Sequence, residues 1–83
     1  MLQETELKNI IDGLASIEQD NSVPRNIRAK IRNAIDILNE PKDMSLKIDK
    51  SLDELGEVAD DPTVPSYTRM QIWSVVSMLE TRK

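Results

Sequence analysis

The stretch Asp20-Asn21-Ser22-Val23-Pro24-Arg25-Asn26-Ile27-Arg28 returns 41 residues later as Asp61-Pro62-Thr63-Val64-Pro65-Ser66-Tyr67-Thr68-Arg69. Working outward, the same offset aligns Leu7 with Ile48, Ile11 with Leu52, Leu14 with Leu55 and Ile17 with Val58. Beyond the stretch it aligns Ile31 with Ile72, Ala34 with Val75, Ile35 with Val76 and Leu38 with Leu79. Matches that span nearly the whole chain without a gap mark a duplicated supersecondary unit. The reading is one domain of 83 residues, with repeat one over 1–40 and repeat two over 41–83.

The repeated stretch reads as a turn that opens a helix. Ser22 and Thr63 are residue types that serve as N-caps, accepting from first-turn N–H groups. Pro24 and Pro65 then fall in the first turn, where a missing N–H costs nothing. Asp20 and Asp61 are placed to hold the turn or to favour the positive end of the next helix. Arg28 and Arg69 are expected to pair with the Asp of their own turn. A feature needed in both halves points to architecture before it points to a site.

Four helical stripes flank these turns. The first helix is predicted from Leu2 to about Asp20, with Leu7, Ile10, Ile11, Leu14 and Ile17 on one face; Gly13 weakens it by roughly 1 kcal/mol relative to Ala. The second runs from about Val23 to Asn39, with Ile27, Ile31, Ala34, Ile35 and Leu38 inward. Asn39 is expected to close it in a left-handed conformation and Pro41 to prevent its continuation. The third, capped by Asp43 or Ser45, carries Ile48, Leu52, Leu55 and Val58 or Ala59, with Met44 near its start. The fourth spans about Val64 to Thr81, with Ile72, Val75, Val76 and Leu79 inward. No segment alternates with a strand period, so the chain is all-α, a four-helix bundle built from two tandem αα-hairpin repeats. Two hairpins are fewer than the three or so repeats of an open solenoid, so they must close on each other or borrow burial from another copy.

Composition narrows the chemistry. The chain is 39% hydrophobic and 31% charged, values of a globular domain and not of a disordered one. It has no run of about 18 apolar residues to span a membrane, and its acidic N-terminus lacks the signal-peptide pattern. Without cysteine there is no disulfide framework, which fits a cytoplasmic location. With no His and no Cys, the commonest general base, thiolate nucleophile and transition-metal ligands are missing. Two glycines cannot build a phosphate loop. Asp49, Asp53 and Glu57 share a helix face near Asp60 and Asp61, but bundle metal sites add histidines, and Lys47 and Lys50 stand close by. The expectation is a non-enzyme with no catalytic residue, cofactor or metal.

Charge divides by helix. Residues 1–20 carry −4, 21–40 carry +2, 41–61 carry −4 and 62–83 carry +2, an arrangement that suits pairing within each hairpin. The net charge of −4 opposes binding to nucleic acid or an anionic membrane.

The repeats differ most on the flank of their second helix. There, Arg25, Arg28 and Arg32 of repeat one have Ser66, Arg69 and Trp73 as their counterparts in repeat two. Trp73 follows Arg69 by one turn, within reach of a cation–π contact. Tyr67, Met70 and Met78 also lie off the apolar stripe. Either this surplus is a surface for a protein partner or a second copy, since aromatic, Met and Arg side chains favour interfaces, or the fourth helix is central and buries more than one face. The partner-binding residues predicted are Trp73, Arg69, Tyr67, Met70, Met78, Arg25, Arg28 and Arg32, in a module that self-associates as a dimer. The alternative is a nucleic-acid- or ribonucleoprotein-associated protein using the three-arginine strip.

Two helices per repeat, a period near 40 and the D-x-x-V-x-x-x-x-R opening resemble a HEAT-type helical hairpin. The doubled D-x-x-V-P-x-x-x-R, over essentially the whole chain, is similar to a small uncharacterised archaeal family, uncharacterised protein family 0147. That resemblance implies a short helical bundle and brings no activity or catalytic residues with it.

Overall fold

Each apolar stripe becomes the inner face of one helix. The computed structural model describes residues 4–82, which form α1 (Glu4–Glu18), α2 (Arg25–Leu38), α3 (Met44–Asp60) and α4 (Ser66–Arg82), with no strand among them. Leu2, the predicted start of the first helix, lies outside the described residues. α1 packs on α2, α2 on α3, α3 on α4, and α4 returns to α1, while the diagonal pairs do not meet. The hairpins therefore close on each other as a four-helix bundle. Their closure is uneven: α2 and α3 share the most extensive seam, α1 and α4 the least. The Cα radius of gyration is 11.8 Å, close to the ~12 Å of a compact chain this long.

The core takes Ile10, Leu14 and Ile17 from α1 and Ile27, Ile31, Ala34, Ile35 and Leu38 from α2. From α3 and α4 come Ile48, Leu55, Val58, Ala59, Ile72, Val75, Val76 and Leu79. Val23 and Val64, the valines of the repeated stretch, are buried as plugs at the turns. Leu7, Ile11, Met44 and Leu52 pack against this core half-buried. Three polar residues are buried where periodicity predicts none, Lys47, Ser51 and Thr68; the Ser51 hydroxyl donates to the Ile48 carbonyl at 3.1 Å, so it carries its own partner into the core.

The turns correct the predicted caps. Ser22 and Thr63 are not N-caps: their hydroxyls donate to the preceding carboxylates, Ser22 Oγ to Asp20 Oδ1 and Thr63 Oγ1 to Asp61 Oδ1, both at 2.7 Å. The backbone N–H groups of Ser22 and Thr63 donate to the same oxygens at 2.9 Å. Asp20 and Asp61 thus hold the turns, as expected of Asx turns. The prolines stand before the first turn, not within it. Pro24, at φ −54° and ψ 145°, occupies the N-cap, and its carbonyl accepts from Ile27 and Arg28; Pro65 likewise accepts from Arg69 at 2.9 Å.

Two other ends also depart from expectation. Asn39 closes α2 at φ −90°, in the right-handed region, and the described residues contain no positive φ. Its N–H still reaches the Ile35 and Asp36 carbonyls while that of Glu40 reaches Ile37, so a tightened last turn ends the helix before Pro41 and no reversal is needed. Asp43 stands at the N-cap of α3 without a side-chain cap bond, and Ser45 lies inside the helix.

Candidate protein interface on α4

Arg69 fixes how α4 stands. Its Nε donates to the Ala59 carbonyl and one terminal nitrogen to the Asp61 carbonyl, both at 2.9 Å, with a longer 3.3 Å contact to the Val64 carbonyl. The planar guanidinium thus gathers carbonyls that the end of α3 leaves without intrahelical donors. The expected ion pair of Arg69 with the Asp61 carboxylate is not formed: the guanidinium takes the Asp61 backbone carbonyl instead, and the side chain works as a clamp facing inward. Arg28, its counterpart, lies close enough to Asp20 to favour the charged carboxylate, yet its Nε is buried without a hydrogen-bond partner.

Both Asp carboxyls are held below their ordinary range. The hydroxyl of Ser22 and then its N–H are the main causes at Asp20, and those of Thr63 at Asp61, because each bond favours the ionised acceptor. Both turns therefore hold their Asp as the carboxylate.

With Arg69 turned inward, the outer face of α4 is left without charge over most of its length. Tyr67 is 70% exposed, Met70 72%, Trp73 49% and Met78 42%, which overturns the reading of α4 as a central helix buried on more than one face. Exposed Ser66 precedes them, and exposed Ser74 and Ser77 lie between them. α4 meets only α3 and α1, so its remaining side is open. At 100° per residue, Trp73 lies on the α3 flank, one turn beyond Arg69, and Met78 lies on the α1 flank. There a crevice of ≈300 Å³ runs between the helices, lined by Gly13, Ser16 and Ile17 of α1 and Gln71, Ser74, Val75 and Met78 of α4. No periodic signal marks this crevice; the small residues Gly13, Ser16 and Ser74 become informative only once α1 and α4 are neighbours.

The arginine strip on α2 is not brought into one site with α4's outer face. Arg32 is tied to Glu18 of α1 at 3.5 Å and to Asp36 at 3.3 Å, while Arg25 is exposed and Arg28 half-buried. The Arg32–Glu18 contact realises the predicted cross-hairpin pairing in repeat one. Its counterparts at the 41-residue offset are Trp73 and Ala59, so the polar seam of repeat one is apolar in repeat two. A second hollow, ≈540 Å³, is lined by Thr5, Leu7, Lys8, Ile11 and Asn39 where the start of α1 passes the end of α2. Among the described residues, no three acidic side chains converge to hold a metal ion, and no helix is long and apolar enough to cross a membrane.

The model of an uncharacterised protein family, UPF0147, matches residues 1–81. The chain belongs to UPF0147. A UPF0147 protein of Sulfurisphaera tokodaii is 43% identical over 84 aligned residues, covering 96% of this chain and 91% of that one. A UPF0147 protein of Methanosarcina mazei is 40% identical over 76 residues, covering 90% of this chain and 82% of its own. Both relatives are archaeal. In three dimensions the chain is similar to the crystal structure of the unknown function protein MMP1188, with a TM-score of 0.90 and 41% identity over 100% of this chain and 97% of that one. It is also similar to a UPF0147 protein from Thermoplasma acidophilum, with a TM-score of 0.89 and 28% identity over 96% of both chains. The UPF0147 fold is thus the four-helix bundle described above, and the resemblance carried by the doubled D-x-x-V-P-x-x-x-R holds.

Proposed function

We propose that this UPF0147 protein is a non-catalytic helical module that pairs with a second copy of itself through the outer face of α4. The observation that carries the reading is the exposure of Tyr67, Met70, Trp73 and Met78 on one helix, with no charged side chain but the inward Arg69 between Ser66 and Leu79. In a chain that is 31% charged, a helix face so depleted in charge and rich in Met and aromatic side chains has the composition of an interface core. Each copy carries a net −4, and an uncharged face is where two such copies meet with least repulsion.

The extent is sufficient for a small interface. α4 is ~25 Å long at 1.5 Å per residue, and with the adjoining flank of α1 it offers roughly 500 Å² per copy, near the lower end of specific interfaces. Light scattering of the purified protein at micromolar concentration tests the reading. A species of twice the 9.4 kDa chain mass is expected, and a strict monomer overturns it.

A further inference from the structure

Resting on that self-association, we propose that the two α4 helices run parallel about a two-fold axis along them, so that Trp73 of each copy seats in the α1–α4 crevice of the other. Three features of the face lead there.

The first is the division of the face into a knob and a hollow. Trp73 stands on the α3 flank of α4, in line with the Arg69 clamp to Ala59 and Asp61. The crevice opens on the opposite flank, against Gly13, Ser16 and Ile17. A two-fold axis parallel to α4 brings unlike flanks together, knob against hollow, and does so twice. A two-fold axis perpendicular to α4 brings like flanks together, Trp73 beside Trp73, and leaves both crevices empty.

The second is height. Gln71, Ser74 and Val75 of the crevice lie within two residues of Trp73, about 3 Å along the axis. A parallel two-fold preserves height, so each indole arrives level with the partner's crevice. The walls suit it: Gly13 has no side chain, Ser16 and Ser74 are small, Ile17 and Val75 are apolar, and Met78 is a flexible apolar side chain that adapts to a ring.

The third is charge. In a parallel pair, residues near the axis face their own copies, and any charge there repels itself. Midway between the flanks stand Met70, Ser74 and Ser77, all exposed and all uncharged. An isologous interface needs this kind of self-compatible strip at its centre.

Because the chain contains no cysteine, Ser66→Cys and Ser77→Cys each introduce a lone thiol, at opposite ends of the face and ~16 Å apart along α4. On mild oxidation, parallel pairing predicts rapid self-cross-linking of each variant alone and little mixed product when the two are combined. Dominance of the mixed product means antiparallel helices; it overturns the parallel arrangement and leaves self-association standing. Monomeric mass with no cross-linking at either site overturns both. A Ser16→Phe variant, changed at an exposed position, fills the crevice and is expected to raise the dimer dissociation constant at least tenfold with helicity unchanged. An unaltered dissociation constant removes Trp73 from the crevice.

Discussion

Arg32 and Glu18 join α2 to α1 through a 3.5 Å ion pair, and the residues that occupy their places in repeat two are Trp73 and Ala59. One hairpin therefore closes with a solvated polar contact, and its duplicate presents an indole at the same register. The pair itself is exposed and contributes at most about 1 kcal/mol, so its replacement changes the surface far more than the fold. The two hairpins are similar scaffolds, and this exchange leaves one of them with an exposed aromatic side chain.

Arg69 and Arg28 should differ sharply when removed. Arg69→Ala releases carbonyls at the end of α3 and is expected to lower stability by about 2 kcal/mol, the scale of hydrogen bonds from a charged donor. Arg69→Lys should recover little of it, since an ammonium does not fork across separate acceptors. Arg28→Ala, which removes a guanidinium with an unbonded Nε, should cost clearly less. Urea denaturation of the three variants at one protein concentration measures the difference.

Acid should act through the two turns. The folded carboxyls of Asp20 and Asp61 titrate below the ordinary 3.8, so the unfolded chain binds protons first as pH falls. Their contribution to stability is complete above the unfolded value and is lost as pH drops through the lower folded values. An Asp20→Asn, Asp61→Asn double variant keeps an accepting oxygen in each turn but not the charge. Its melting temperature should fall less steeply than the wild type's below about pH 4.

Neither glycine is required by the fold of the single chain. A Cβ on Gly13 meets nothing nearer than Val75 Cγ2 at 4.0 Å, and one on Gly56 meets nothing within 4 Å. Both lie inside helices without positive φ, so Gly56→Ala should stabilise by about 0.5–1 kcal/mol. Leu14→Ala, by contrast, empties a fully buried position and should cost about 2–5 kcal/mol. Thermal or chemical unfolding of each variant checks both signs.

Trp73 should link stability to concentration. If copies associate through it, the melting temperature of the wild type rises with protein concentration, and Trp73→Ala abolishes that dependence while retaining wild-type helicity. Scans at two concentrations a hundredfold apart are sufficient.

The helices and their inner faces were legible because burial on a bundle repeats every 3.6 residues, and Ile10, Leu14, Ile31 and Ile72 obey that period. The turn chemistry was only half legible. Asp, Ser or Thr, and Pro all mark a helix start, but the order in which they act depends on where the first helical carbonyl falls. Placing Pro24 at the N-cap leaves Ser22 too early to cap, and its hydroxyl turns back to Asp20. Ser51 and Thr68 escaped notice because a hydroxyl at a core position does not register as apolar. Tyr67, Met70, Trp73 and Met78 stood out as off-stripe residues. Their exposure did not, because a single helix's pattern carries no count of its neighbours. The crevice beside Ser16 exists only where α1 and α4 meet, and no local pattern encodes that meeting.

Sedimentation equilibrium of the wild type beside Met70→Glu tests self-association through α4. Met70 is 72% exposed, so the substitution leaves the core intact while placing a charge at the middle of the α4 face. A dimer is expected for the wild type and a monomer of unchanged helicity for the variant. A wild type that is monomeric throughout the micromolar range, or a variant that dimerises as well as the wild type, would contradict it.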